Sequence, residues 1–357
     1  ITQGSGGGFL AWIIGENSKL VIGNDLIFDT CSGYNGGGLS AIILNGAQLI
    51  FEGDCKFDNC SSLFSGGGIY AQCNNEGSLI QYLGELSFDN CSSLWSGGGA
   101  SLGSGDKASI ELNKVTCVDC KSGQGAGLNV QPSLDTHFTI SGKASFTRCE
   151  STGSGGGICF NIQGENIEIQ LTGEMEFIDC IGIYGGGISI GSIYKIILVI
   201  SSLCTFKNCT GSQGGGMYMP LSDIETEIQI TGLLSFDNCS SNQGGGLYLS
   251  TSGSSLSFTN AIQFKNCSSQ YSGGGLWASC SNEGTIQFIG GMNFENCSTN
   301  QQGGAIYARM QSGSQLTIDG QCKFTECTTQ VYGGGGGGIY AYIIGAGSKL
   351  IIGDGAI

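Results

Sequence analysis

The 357-residue sequence is poor in basic residues, in proline and in histidine. It contains 13 lysines and arginines against 28 acidic residues, with only two prolines and one histidine. Nucleic acid and anionic membrane surfaces are therefore not expected as partners, because both are bound through clustered basic side chains. Long apolar runs are also absent. The longest, Tyr194 to Ile200, is too short to span a bilayer, so we expect no direct membrane insertion by this segment.

Glycine is the abundant residue, at 66 of 357, and it recurs at fixed positions. Glycine triplets or near-triplets alternate with an aromatic-x-x-Cys element at intervals of about thirty residues. The clearest copies read FDNCSSLFSGGGIY from Phe57, FDNCSSLWSGGGAS from Phe88, FDNCSSNQGGGLYL from Phe236 and FKNCSSQYSGGGLW from Phe264. Such a period is typical of a solenoid, in which each turn of chain buries its apolar face against the next turn. The fixed positions exclude collagen and a disordered glycine-rich linker.

Each period contains three short segments in which apolar and polar residues alternate. Examples from one period are Ile69 with Ala71, then Ile80 with Tyr82, and finally a segment that ends at Phe88. A period of two predicts a strand with one buried face. Because no helical periodicity accompanies these strands, we predict an all-β parallel β-helix with three short strands per coil of about 30 residues and about 11 to 12 coils. Coils stacked about 4.8 Å apart would form a rod on the order of 55 Å long.

The repeat pattern runs from residue 1 to residue 357 without a linker, which predicts a single continuous β-helix domain. The first residues, ITQGSGGG, resemble CTGSQGGG from Cys209, and the last, KLIIGDGAI, match KLVIGNDLI just ahead of Phe28. Both ends therefore fall within a repeat, and we expect the chain to be a segment of a longer repeat array.

The position before the repeat cysteine accepts Arg148 and Glu326, so we expect it to face water. In six coils it is the asparagine of an N-C-[ST] sequence, which is the acceptor pattern for N-glycosylation. These candidates are Asn59, Asn90, Asn208, Asn238, Asn266 and Asn296. The alternative interpretation is that asparagine is simply a favourable turn residue followed by a frequent neighbour.

The repeat cysteine is expected to point inward and to form a column with one member per coil. Its members are Cys31, Cys60, Cys91, Cys120, Cys149, Cys180, Cys209, Cys239, Cys267, Cys297 and Cys327. A spacing of about 4.8 Å between coils permits disulfides, but we favour a stack of buried thiols that fill the corner. Cys117 and Cys120 resemble a metal-binding pair, yet Cys117 replaces the repeat phenylalanine, so no metal and no cofactor is expected. Cys159 is expected to point outward and to be partly exposed.

An outward aromatic residue follows the glycines in five consecutive coils, forming an aromatic strip. Its members are Tyr218, Tyr248, Trp277, Tyr307 and Tyr340. One interpretation is that these rings stabilise the pairing of their own strands, and the other is that the strip binds sugar rings or a neighbouring molecule.

The alternation of GG[GA][ILM] with F-x-x-C resembles the paired GGA[ILV] and FxxN repeats of the polymorphic outer-membrane protein family over nearly the whole chain. The resemblance implies a right-handed parallel β-helix that acts as a surface adhesin. Cysteine replaces the family's asparagine at all eleven positions, which makes a eukaryotic surface protein plausible. The architecture is also similar to that of pectin-lyase-like enzymes, but the basic candidates Arg148, Arg309 and His137 do not lie beside an acidic cluster.

We therefore expect a non-catalytic extracellular structural protein, the rigid shaft of a cell-surface protein or filament, which self-associates end to end or laterally. The alternative is a surface adhesin that binds glycans through the aromatic strip. A polysaccharide lyase or hydrolase is the least favoured interpretation.

Overall fold

The computed structural model describes residues 6–23, 25–223, 226–330 and 335–353. These residues contain 42 β-strands and no helix. The chain divides into two compact units, Ile1–Met175 and Glu176–Ile357, and in each unit parallel strands stack coil on coil. The predicted parallel β-solenoid is thus confirmed. Its right-handed sense and the single continuous domain stay predictions.

The strands of the first unit start with β1, which follows the glycine triplet of the first described coil. They are β1 (Phe9–Ile14), β2 (Lys19–Ile22), β3 (Leu26–Asp29), β4 (Ser32–Gly33), β5 (Leu39–Leu44), β6 (Gln48–Phe51), β7 (Cys55–Asp58), β8 (Ser61–Ser62), β9 (Ile69–Asn74), β10 (Leu79–Asp89), β11 (Ser92–Ser93), β12 (Ala100–Gly105), β13 (Ser109–Val118), β14 (Lys121–Ser122), β15 (Leu128–Pro132), β16 (His137–Ile140), β17 (Ala144–Thr147), β18 (Glu150–Ser151), β19 (Ile158–Asn161) and β20 (Ile167–Leu171).

The next strand, β21 (Met175–Ile178), begins with the last residue of the first unit, and the remaining strands belong to the second. They are β22 (Ile188–Gly191), β23 (Ile196–Ile200), β24 (Cys204–Lys207), β25 (Met217–Leu221), β26 (Glu227–Ile230), β27 (Leu234–Asp237), β28 (Ser240–Gln243), β29 (Leu247–Ser252), β30 (Ser255–Phe258), β31 (Ile262–Lys265), β32 (Ser268–Ser272), β33 (Leu276–Ser281), β34 (Thr285–Phe288), β35 (Met292–Glu295), β36 (Ser298–Thr299), β37 (Ile306–Gln311), β38 (Gln315–Ile318), β39 (Cys322–Thr325), β40 (Thr328–Thr329), β41 (Ile339–Ile344) and β42 (Lys349–Ile352).

Each sheet is built from equivalent strands of successive coils, paired in parallel and in register. The glycine-following strands pair in the order β1-β5-β9-β12-β15-β19 in the first unit and β22-β25-β29-β33-β37-β41 in the second. The other two predicted strands of each coil pair in the same way, as Phe28 with Phe57 and Phe57 with Phe88 illustrate. A short fourth strand after the repeat cysteine, such as β8, was not predicted.

The repeat phenylalanines form the centre of the core. In the second unit the rings of successive coils stack at centroid distances of 4.6–5.0 Å. The stacked residues are Phe177, Phe206, Phe236, Phe264 and Phe294. These distances match the separation of paired strands, so each ring gains an offset-stacked neighbour without any change in backbone path. In the first unit Cys117 takes the ring position between Phe88 and Phe146, as predicted.

The glycine triplet is required by the sharp corner that leads into each glycine-following strand. In one corner Gly66 has φ of 69°, in the left-handed region that glycine adopts at little cost. A Cβ on Gly67 would lie 2.1 Å from the carbonyl oxygen of Gly98 in the next coil, and a Cβ on Gly68 would lie 2.6 Å from the ring of Phe88. The corner therefore combines a strained turn with close approach to the adjacent coil and to the core.

We predict that Gly67→Ala lowers the free energy of unfolding by about 2 to 3 kcal/mol, because the added methyl group must push two coil backbones apart. Urea unfolding followed by circular dichroism measures the change. Gly23→Ala is the matched control, since a Cβ there meets only the Glu52 side chain at 3.5 Å and should leave stability unchanged. Equal stability of the two variants would contradict the close-packed corner.

Candidate functional site

The candidate glycosylation sites lie at a bend with left-handed backbone. All eleven residues that precede the column cysteines, from Thr30 to Glu326, have φ between 49° and 56°. Asparagine and aspartate tolerate this region better than other side chains, which explains their frequency here. Asn59, Asn90, Asn238 and Asn296 are exposed as predicted, whereas Asn208 and Asn266 are half-buried.

The asparagine side chains also bond to each other from coil to coil. Asn90 donates its Nδ2 hydrogen to Asn59 Oδ1 at 2.6 Å, and Asn238 donates to Asn208 at 2.8 Å. Asn296 donates to Asn266 at 2.9 Å. These hydrogen bonds give the turn interpretation a specific structural basis. A glycan would be attached to the same amide nitrogen, so glycosylation would have to disturb this ladder of hydrogen bonds.

We predict that Asn59 and Asn90 are not glycosylated together in one molecule, because the two amides touch and their coils lie only about 4.8 Å apart. Peptide mass spectrometry of protein secreted from a eukaryotic host measures occupancy at both sites. Asn59→Gln should leave occupancy at Asn90 the same or higher. A peptide population carrying glycans at both positions would be the contrary result.

The cysteine column is present in both units. Its members are buried apart from Cys31 and Cys327, which are half-buried, and all 18 cysteines of the chain carry free thiols. Each thiol hydrogen points at backbone carbonyls. Cys91 Sγ lies 3.4 Å from the carbonyl oxygen of Phe57 in the preceding coil and 3.5 Å from that of Asp89. The column therefore fills the corner and contacts neighbouring coils.

Burial opposes the ionisation of these thiols, but a hydrogen bond with Cys91 lowers the pKa of Cys60 to about 7, and hydrogen bonds with neighbouring column thiols outweigh burial and lower the pKa of Cys267. Burial raises the pKa of Cys55, Cys73 and Cys322, which lie elsewhere in the core, to about 12, and it raises the pKa of Cys239 in the column. Cys159 was expected to be partly exposed, and this expectation is wrong. It points outward but is only 4% exposed, and burial raises its pKa to about 12. A protonated, covered thiol is a poor nucleophile.

We predict that the protein is destabilised by alkaline pH. A thiol with a pKa near 9 in the unfolded chain and about 12 in the folded protein contributes full stability below pH 9. Between pH 9 and 12 the unfolded chain loses its proton first, so the free energy of unfolding falls by roughly 1.4 kcal/mol per pH unit for each such thiol. Urea unfolding at pH 7 to 11 measures this. Cys55→Ala should reduce the slope, and unchanged stability through pH 11 would contradict buried thiols.

The aromatic strip lies in the second unit and is longer than predicted. Tyr184 adds a sixth ring, with its centroid 5.1 Å from that of Tyr218. Trp277 belongs to the strip as predicted, but it is only 9% exposed, because its ring lies between Tyr248 at 4.2 Å and Tyr307 at 5.8 Å. Interplanar angles of 6° and 9° mean that these rings present faces to one another and only edges to solvent. The arrangement favours strand pairing over sugar binding.

The only histidine lies in a polar network on the outward face of β16 and β20. His137 Nε2 is 2.8 Å from Thr139 Oγ1, and Nδ1 is 3.2 Å from Glu168 Oε2. This connectivity is that of a hydroxyl, base and carboxylate relay. The ring and the carboxylate are about one-third exposed on an outward sheet face, not enclosed by a pocket, so we assign the network to cross-strand stabilisation.

The other basic candidates are also paired. Arg148 donates from Nε and Nη2 to both carboxylate oxygens of Asp119 at 2.7 Å, and the neighbouring guanidinium holds the pKa of that carboxyl below its usual range. Arg309 donates to Gln311 at 3.1 Å and lies 6.0 Å from the ring of Tyr342. Neither arginine has a basic neighbour among these contacts. Arg148 links two adjacent coils through Asp119, and Arg309 contacts Gln311 within its own strand.

Sequence reasoning missed an aromatic cluster in the first unit. Tyr34 stacks on Phe64 at 5.7 Å, and Phe64 contacts Trp95 at 5.5 Å. Leu94 and Trp95 are 70% and 62% exposed. The signal was available, because Leu94 and Trp95 occupy positions where the repeat from Phe206 has the polar residues Ser212 and Gln213.

Comparison with known proteins identified no relative: no family model, curated protein or solved structure matches the chain. In the described part of the chain no helix could cross a membrane, and no group of three or more histidine, cysteine and acidic side chains could hold a metal ion.

Proposed function

We propose that this chain is a non-catalytic structural segment, the rigid shaft of a cell-surface protein or extracellular filament. The observation that carries the proposal is the repetition of core contacts from coil to coil within each unit. Phenylalanine rings stack on their equivalents one coil away, column thiols donate to a backbone carbonyl of the preceding coil, and equivalent strands pair through their backbones. A structure of this kind distributes a load over many equivalent contacts, and its stability grows with the number of coils.

An extracellular location fits the chemistry of the surface and of the core. The exposed asparagines of the N-C-[ST] sequences are available to a glycosylation enzyme, and the strongly acidic composition suits a soluble surface. Free thiols are unusual outside cells, but burial protects all of them except Cys31 and Cys327 from oxidants. The resemblance to the polymorphic outer-membrane protein repeats supports the same location.

Self-association is part of the proposal. Backbone hydrogen bonds pair equivalent strands of successive coils, as in β29, β33 and β37, so a further coil with the same sequence pattern can extend them. We therefore propose end-to-end stacking as the mode of assembly. Glycan binding through the aromatic strip is less favoured, because neighbouring rings cover each other's faces.

We expect small-angle scattering of the dilute protein to give the profile of a single rod with a length on the order of 55 Å, from about 11 coils spaced about 4.8 Å apart. Sedimentation at rising concentration should then reveal longer particles of unchanged cross-section. Two independently tumbling bodies would contradict the shaft, and a monomer that persists at millimolar concentration would contradict end-to-end assembly.

A further inference from the structure

The aromatic cluster of the first unit ends abruptly at Trp95. Its ring contacts Phe64 on one side, in the preceding coil. The next coil has four residues, 121–124, between its cysteine and its corner, whereas the coil of Trp95 has five, 92–96. Gly123 is the residue that lies beside Trp95 there, and its missing Cβ would be 2.6 Å from the Trp95 carbonyl oxygen. No side chain of this coil replaces the next ring, and Trp95 stays 62% exposed.

A groove of about 390 Å³ occupies this gap. Its lining comprises Phe64, Ser65, Leu94, Trp95, Ser96, Gly123, Gln124 and Gln131. The volume is within the usual range of small-ligand sites. The lining combines an aromatic wall with hydroxyl and carboxamide groups, and it contains no charged residue.

The hydroxyl groups of Ser65 and Ser96 hydrogen-bond to each other at 3.0 Å, but the carboxamides of the groove lack partners. Within the described residues, the side chains of Gln124 and Gln131 form no hydrogen bond. Asn129 lies two residues before Gln131 on the same face of β15, is 0% exposed, and has no partner for Nδ2 or Oδ1. A buried, unpaired carboxamide is costly, and this one lies two residues from the lining residue Gln131.

We infer that this groove binds a neutral oligosaccharide. A pyranose ring presents an apolar C–H face that fits the open face of Trp95, and its hydroxyl groups both donate and accept, as the carboxamides of Gln124 and Gln131 require. An acidic saccharide is disfavoured, because the groove supplies no cation and the chain carries a net charge of −15. The site is separate from the aromatic strip of the second unit and does not depend on the shaft proposal.

The test uses the full chain and defined probes. Isothermal titration with neutral hexasaccharides of glucose, mannose, galactose and N-acetylglucosamine should detect binding by at least one of them. The hexamer of galacturonic acid should bind at least tenfold more weakly. If no neutral hexamer binds at millimolar concentration, or if the acidic hexamer binds best, the inference is overturned. Binding of an extended neutral peptide but no saccharide would overturn it in favour of a peptide groove.

Variants locate the site. Trp95→Ala and Gln131→Ala should each lower the affinity at least tenfold, while Trp95→Phe should retain most of it. Trp12→Ala is the matched control, since Trp12 is 67% exposed on β1, away from the groove, and its replacement should change nothing. Undiminished affinity in Trp95→Ala, or an equal loss in Trp12→Ala, would overturn the assignment.

A variant of Asn129 distinguishes a role of this residue in saccharide binding from a role in folding. Asn129→Ser places there the residue found at the in-register position Ser101. We expect the affinity for the saccharide to fall at least threefold while the unliganded protein melts at an unchanged or higher temperature. A lower melting temperature with unchanged affinity would show that Asn129 serves the fold, and would remove it from the site.

Discussion

The structure of each unit depends on in-register stacking, which makes every residue the neighbour of its own equivalent one coil away. Each position therefore favours residues that pack well against copies of themselves. Aromatic rings do so by offset stacking, asparagines by amide ladders, and the column thiols by reaching a carbonyl of the preceding coil. The glycine corner sustains the register, because it brings adjacent backbones closer than any side chain would allow.

The same constraint explains where variation can produce function. Inward-facing residues at equivalent positions of successive coils pack together in the core, so a change in one coil disturbs the coil on either side. Outward rows are freer, and an interruption there exposes groups that a complete row would cover. The aromatic strip of the second unit is complete from Tyr184 to Tyr340, and its rings serve one another. The cluster of the first unit stops at Gly123, which leaves Trp95 62% exposed.

Much of the fold could be predicted from the sequence, because the period of two and the repeat length directly reflect strand facing and coil size. The inward cysteines, the outward asparagines and the substitution of Cys117 for phenylalanine followed from alignment of the repeats. Alternation alone could not predict that the outward positions Cys159 and Trp277 are buried, since it carries no information on what lies over an outward side chain. The groove beside Trp95 was missed because it results from a one-residue deletion in a different coil.

The pairing of β31 with β35 offers the most direct test of the register. Gln263 and Asn293 are exposed partners in these strands, whereas Lys265 is two residues out of register with Asn293. Paired strands lie about 4.8 Å apart, within reach of a disulfide, and the offset pair exceeds that reach at about 8 Å. Under mild oxidation, the double variant Gln263→Cys with Asn293→Cys should form a disulfide detectable by peptide mass spectrometry, and Lys265→Cys with Asn293→Cys should not. Preferential crosslinking of the offset pair would contradict in-register stacking.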